Sequence, residues 1–248
     1  TGMAGIWFGG GRRQAAGAAF ANSAAASALD LDDGHRAAGG HPGAAVIPAV
    51  FAMAEEIHAG SPEILAAVVV GYEVGVRVAA ARDFSALDTL STGRWCGYGV
   101  AAAASRLRRL STRQTAEAMA LAGVLYPGLS AAGYSRVMGN HAKEGIPWAT
   151  LTGLWAAELA AEGFTGPLDI LDHRGYYDAG KILAGLGENF AVDGVYFKPY
   201  ACCRWIHGAL DGLCDLMQQN RLQAADIRSI EVPTFGRALR LNHYPDPA

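Results

Sequence analysis

The chain has 248 residues, 51% of them hydrophobic and only 17% charged, with a formal net charge of −3. It is long enough to bury a large core, too apolar for a disordered segment, and lacks the basic surplus that nucleic-acid binding draws on. Cys96, Cys202, Cys203 and Cys214 show neither a disulfide framework nor zinc spacing, which fits a reduced, cytoplasmic protein.

No signal peptide is visible, and Thr1 begins in mid-pattern, as a fragment would. Gly9-Gly10-Gly11 lacks the Lys-Ser/Thr that a phosphate loop needs after it. Residues Gln14 to Ala28 are alanine-rich and helical by propensity. They lead into the stretch that concentrates the chemistry, Asp30-Leu31-Asp32-Asp33-Gly34-His35 followed by Gly40-His41-Pro42-Gly43. Pro42 suits the first turn of a helix running to about His58, with a kink at Pro48. Free N–H groups and the dipole at that helix start suit a bound carboxylate or phosphate, with His41 at its mouth. An acid–base group beside an anion cradle is what proton chemistry on a small carboxylate requires. The same residues also serve ordinary loops and caps, and Asp32, His35 and His41 are a conceivable metal set.

Ser61-Pro62-Glu63 marks the next helix start, and the helix runs to about Ala81. Its apolar run from Ile64 to Val78 is interrupted by Gly71, Tyr72 and Glu73 and falls short of the ~20 residues that span a bilayer. A link from Asp83 to Ser91 precedes a small-residue helix from Thr92 to Leu107, in which Gly97-Tyr98-Gly99 follows no strand and carries no nucleotide reading. Arg106 to Arg109 close that helix as dipole partners. Ser111-Thr112-Arg113-Gln114 reads as a capping box for a helix to about Leu125. Leu129 to Glu144 is a loop rich in ligand-meeting groups, among them Ser130, Tyr134, Ser135, Arg136, Asn140, His141 and Lys143, and it feeds a helix from Ile146 to Ala161. All but three of the 20 basic residues are arginine, the lysines being Lys143, Lys181 and Lys198. Lys143 stands just before a helix start, where the dipole disfavours a cation, so a partner or a task is expected for it.

Helix follows helix as far as this point, which argues for a helical bundle. The character changes near 195. Val195-Tyr196-Phe197 is β-prone, Lys198 to His207 leads into a helix to about Gln219 on which Cys203 and His207 share a face, and Ile227 to Phe235 alternates like a strand. The expected fold is therefore mainly α: a large all-helical domain over residues 1–194, and the beginning of a smaller α+β lid domain over 195–248, with the chain incomplete at both ends.

Three segments resemble the MmgE/PrpD family, which includes 2-methylcitrate dehydratase, cis-aconitate decarboxylase and iminodisuccinate epimerase. They are Leu29 to His35 with Gly40 to Pro48; Lys143-Glu144-Gly145-Ile146-Pro147-Trp148-Ala149 with Gly163 to Pro167; and Lys198-Pro199-Tyr200-Ala201-Cys202-Cys203-Arg204-Trp205-Ile206-His207. Order and spacing agree over about residues 20–235. The resemblance implies a helical domain bearing an α+β lid, a length roughly twice this one, a homodimer, and chemistry with no cofactor or metal on a small di- or tricarboxylate substrate. It puts the family's catalytic His on His41, its first-motif Asp on Asp30, a substrate-binding Lys on or next to Lys143 and the lid Lys on Lys198. We take these four as the candidate catalytic residues, and His35, Arg204, Cys203, His207 and Tyr134 as candidate substrate-binding residues. Ala201 stands where the family usually has Pro. Cys203 stands where the decarboxylase branch has a second catalytic His, which speaks against that chemistry. The leading expectation is a dehydratase-type lyase that abstracts a proton next to a carboxylate. An epimerase of a small dicarboxylate comes second, a non-catalytic carboxylate-binding protein third, and a metal-dependent hydrolase fourth.

Overall fold

The computed structural model describes residues 3–126 and 143–240. It is mainly α, with eight α-helices and two small two-stranded sheets among the described residues. The helices are α1 (Ala15–Ser27), α2 (Gly43–Ile57), α3 (Ser61–Ala80), α4 (Cys96–Leu107), α5 (Thr112–Val124), α6 (Ile146–Ala161), α7 (Ala179–Leu183) and α8 (His207–Asn220). No described helix is long and apolar enough to cross a membrane.

The bundle is organised around α4, which packs against α2, α3, α5 and α6 and buries nearly every residue from Cys96 to Ser105. Small residues make this approach possible. A Cβ on Gly99 would lie 2.3 Å from the Gly71 carbonyl oxygen, so α3 and α4 meet backbone to backbone there. A Cβ on Gly153 would lie 2.8 Å from the Gly97 carbonyl, the equivalent approach of α6. The Gly97-Tyr98-Gly99 run is thus a packing device. Between these contacts Trp95, Met53, Ile146, Leu154 and the valines Val46, Val50 and Val100 fill the core.

Helix boundaries follow the local signals. Ser111 accepts from the Gln114 N–H and the Gln114 side chain answers the Ser111 N–H, the expected capping box. Pro62 and Pro147 occupy first-turn positions. Pro48 lies inside α2, which remains one continuous helix. The helix expected from Thr92 starts at Cys96 instead, after a 3-10 turn over Thr92–Arg94.

Of the four two-residue strands among the described residues, only the one at Val195-Tyr196 falls where the sequence is β-prone; the others appear where the sequence shows none. β1 (Ala4–Gly5) pairs with β2 (Arg12–Arg13), and β3 (Gly34–His35) pairs antiparallel with β4 (Val195–Tyr196). The second sheet fastens the segment after 190 onto the loop that carries Asp30 to His41. Residues 227–235, expected to be a strand, form none: they are unpaired and, apart from the half-buried Ile227, exposed, and alternation alone does not make a strand without a neighbouring edge. Arg77 and Glu73 on α3 fix the chain just ahead of β4. Arg77 donates to the carbonyls of Ile182, Ala184, Gly185 and Asn189, and Glu73 accepts from the Ala191 N–H (2.6 Å).

Candidate active site

Three separate segments meet at one cluster. The loop after α1 brings Asp30, Asp32, Asp33 and His41. The 3-10 turn before α6 brings Lys143 and Glu144. The chain just after β4 brings Lys198. Asp30 (φ 53°) and Glu144 (φ 52°) both adopt the left-handed backbone conformation that non-glycine residues seldom take, as functional loops often do.

Lys143 Nζ donates to Asp30 Oδ1 (2.5 Å) and to both Asp32 oxygens (2.8 and 2.9 Å). Lys198 Nζ donates to the same Asp30 oxygen and lies 3.1 Å from Asp32 Oδ1. Two ammonium groups thus share two carboxylates. The Lys198 side chain is fully buried and that of Asp32 is 2% exposed, whereas Lys143 is 16% and Asp30 25% exposed. The cluster therefore has an inner pair, Lys198 and Asp32, and an outer pair that solvent reaches. Burial alone would raise the Asp30 pKa, but Lys143 and Lys198 outweigh it and hold the carboxyl below its usual range. For Lys143, burial would lower the pKa, and the charges of Asp32, Glu144 and Asp30 overcome it and raise it. The partner expected for a lysine at a helix start is present twice over.

His41 is held from two sides. Its backbone N–H donates to Thr92 Oγ1 (3.2 Å), and its ring Nδ1 lies 2.6 Å from the Asp33 backbone carbonyl. A carbonyl only accepts, so this contact assigns a proton to Nδ1 and leaves Nε2 as the ring nitrogen available to exchange one. The Asp32 carboxylate is a more distant neighbour of Nδ1 at 3.6 Å, and Glu144 Oε1 lies 3.8 Å from Nε2.

The anion cradle at the start of α2 is filled by the chain itself. Asp33 accepts from the Gly43 N–H (3.0 and 3.2 Å) and from the Tyr72 hydroxyl (2.7 Å). Burial raises the Asp33 pKa against these hydrogen bonds, and burial together with Asp33 raises that of Tyr72. The expected substrate cradle is thus a clamp that fixes the Asp33 carbonyl under His41.

Other expected residues fall outside the cluster. His35 Nε2–H donates to the Ala191 carbonyl (3.0 Å) and its Nδ1 is buried without a partner; burial lowers its pKa, so it is a neutral core histidine at the β3–β4 junction. His207 Nε2–H donates to the Cys202 carbonyl (3.2 Å), and the ring packs edge-on against Tyr200. Cys203 precedes the 3-10 turn that leads into α8, so it does not share a helical face with His207. Burial raises the Cys203 pKa against the hydrogen bond from the Trp205 backbone N–H, which lowers it. Arg204 stacks over the Tyr196 ring at 5.3 Å. Tyr134 lies outside the described residues, as do Ser130, Ser135, Arg136, Asn140 and His141.

Asp30, Asp32 and His41 present ligand atoms within 4.8 Å of one another, close enough to hold a metal ion. The lysines argue against that use, because two ammonium groups already take the positions a cation would occupy on these carboxylates. Surface hollows of about 340 Å³ beside Ser105 and Arg109, and about 370 Å³ beside Phe51 and His58, lie away from this chemistry. Glu144, Thr92 and Tyr72 are members of the site that the sequence did not single out, and Asp33, part of the acidic stretch, was given no role of its own. Adjacency to Lys143 is a faint signal for Glu144, and nothing marks Thr92 or Tyr72.

The MmgE/PrpD N-terminal domain family matches residues 1–181. The cis-aconitate decarboxylase-like protein oryM of Aspergillus oryzae (strain ATCC 42149 / RIB 40) is 31% identical over 233 residues, covering 82% of this chain and 46% of its own. A cis-aconitate decarboxylase of Aspergillus terreus is 31% identical over 247 residues, covering 87% of this chain and 49% of its own. The chain thus spans about half the length of the curated relatives it matches.

Proposed function

The chain belongs to the MmgE/PrpD family, and from that footing and the geometry of the cluster we propose that it is the N-terminal part of a lyase that abstracts a proton next to a carboxylate of a small di- or tricarboxylate. One observation carries the reading: an imidazole whose Nδ1 is locked and whose Nε2 is open stands beside a lysine ammonium anchored by two aspartates. His41 Nε2 takes the proton, and the electron pair of the C–H bond passes into an enolate. Lys143, the ammonium nearer solvent, meets the substrate carboxylate and the charge that grows on it. Stabilisation of this kind is often the largest contribution to such reactions. Lys198 holds Asp30 and Asp32 from the buried side.

Collapse of the enolate then forms the carbon–carbon double bond and breaks the C–O bond at the neighbouring carbon, and the departing hydroxide takes a proton from solvent to leave as water. The relatives are named as decarboxylases. Cys203, standing where the decarboxylase branch has a histidine, favours loss of water here. The test is proton NMR in D2O of methylcitrate, citrate, cis-aconitate, malate and iminodisuccinate with the full-length protein. Loss of an α-proton signal in wild type but not in His41→Ala, with an alkene product, supports the reading. Exchange with inversion and no product would make the enzyme an epimerase. Tight binding of an acid without exchange would make the protein a carboxylate binder.

A further inference from the structure

We infer that Glu144 is the outlet through which His41 trades the abstracted proton with solvent; this rests on the reading of His41 as the base. Four observations lead there. Nδ1 of His41 is committed to the Asp33 carbonyl, so any proton taken up sits on Nε2. Glu144 Oε1 faces that nitrogen at 3.8 Å, within reach of a hydrogen bond after a side-chain movement of about 1 Å or through one bridging water. The other oxygen, Oε2, accepts from the Thr92 N–H (2.8 Å), while Thr92 Oγ1 accepts from the His41 N–H, so one residue positions both partners. Finally, the Glu144 side chain is 31% exposed, against 13% for His41 and 2% for Asp32. It is the carboxylate of this cluster that is most open to water.

The local backbone is built to hold this carboxylate. Glu144 and Gly145 take left-handed φ values in succession. Gly93 lies so close beneath them that a Cβ there would stand 2.5 Å from the Glu144 carbonyl oxygen. Side chains that merely decorate a surface loop need no such accommodation.

The step balances as follows. The α C–H bond breaks, its electron pair remains on the substrate as the enolate, and its proton bonds to His41 Nε2. The imidazolium N–H then passes the proton to Glu144 Oε1, which restores the neutral imidazole and leaves a carboxylic acid. That acid loses the proton to water and returns to the carboxylate.

The experiment uses the full-length protein and the five acids named above, in D2O. NMR follows deuterium entry at the α-carbon and product formation together, for wild type, Glu144→Gln and His41→Ala. Gln keeps an oxygen for the Thr92 N–H but cannot carry the proton. Deuterium entry per product formed should fall at least tenfold in Glu144→Gln, with KM unchanged, within the range that single acid–base groups contribute. An unchanged ratio in Glu144→Gln overturns the inference. So does a loss that appears wholly in KM, which is the mark of a binding role. A second readout needs no turnover: ¹⁵N spectra of the His41 ring should show the Nδ1–H form in wild type and in Glu144→Gln alike. A changed tautomer in the variant would make Glu144 an orienting residue and overturn the outlet role. If wild type exchanges no proton on any acid, the reading of His41 as base falls first and the inference falls with it. Exchange in wild type with an unaffected Glu144→Gln refutes the inference alone.

Discussion

Replacing Lys198 by Met removes an ammonium whose side chain is wholly buried while keeping most of its length. Asp30 and Asp32 then share Lys143 alone. Removing one partner of a buried pair costs about 3–5 kcal/mol, and the lower end applies because Lys143 still donates to both carboxylates. For a domain of this size about 3 kcal/mol lowers Tm by roughly 6–12 °C. The pH dependence carries the sharper test. The lysines hold the Asp30 pKa below its unfolded value of about 3.9. A depressed carboxyl contributes stability above its unfolded pKa and loses it as pH falls through the folded one. The wild type therefore holds this contribution at pH 7, the variant holds less of it, and the gap should narrow below about pH 4 as Asp30 protonates. Thermal unfolding followed by circular dichroism from pH 3 to 8 reads both curves. An equal Tm, or a gap that stays constant down to pH 3, would refute the account of Lys198 as a buried counter-charge. Adding Asp30→Asn to Lys198→Met should recover part of the loss, because it removes the negative charge left in excess over Lys143.

Four further outcomes are expected. Gly99→Ala places a methyl 2.3 Å from the Gly71 carbonyl, and forcing α3 and α4 apart should cost about 1–3 kcal/mol or more in denaturant titration; an unaffected midpoint would show that the helices are not in backbone contact. Arg77→Met should speed hydrogen exchange at Ala191 and expose residues 183–190 to protease, and unchanged exchange would mean that the segment is held by something else. His35 has a folded pKa lowered by burial, so the unfolded chain takes up its proton first and stability should fall as pH drops below about 6.5; His35→Asn should flatten that slope, and an unaltered slope would refute the buried neutral ring. Proton exchange at the substrate should survive EDTA, since ammonium groups take the cation positions on Asp30 and Asp32; loss with EDTA and recovery with a divalent ion would restore the metal reading.

How much of the fold was legible depended on length of pattern. α6 has the bounds its signals set, and α1, α3 and α5 lie within a residue or two, because caps and first-turn prolines are local chemistry. Of the two-residue strands only β4, in the β-prone run Val195-Tyr196-Phe197, was legible; the others were not, since a pattern of period two needs more than two residues to show itself. The reverse error at 227–235 has the same root: alternation describes a half-buried surface, and here no partner strand creates one. Thr92 failed as a helix start because its side chain and backbone are used elsewhere. Its hydroxyl accepts from His41 and its N–H caps the Glu144 carboxylate.

The site was legible as composition and opaque as geometry, and charge explains both. In a chain whose basic residues are nearly all arginine, Lys143 and Lys198 stood out. A compact ammonium with three donors can satisfy several carboxylate oxygens around one point, which a planar guanidinium does not do as readily. What the sequence could not say is which acid each lysine serves, because Asp30 and Lys198 lie 168 positions apart and meet only through the β3–β4 pairing. The Asp33 clamp was hidden for another reason. A helix start bordered by Pro42 and Gly43 reads as an empty anion site, and only the fold reveals that Tyr72, from a different helix, joins it around the chain's own carboxylate. That arrangement serves His41 directly. Clamping the Asp33 side chain from two sides fixes its backbone carbonyl against Nδ1, and the fixed carbonyl determines which ring nitrogen faces outward. The helix start that first suggests a substrate cradle thus holds the chain's own Asp33, which supports His41. Asp33→Asn, which preserves the acceptor for one donor only, should loosen the ring and shift His41 toward a mixture of tautomers in ¹⁵N spectra. A ring that keeps the Nδ1–H form unchanged in that variant would show that the carbonyl contact stands without the clamp.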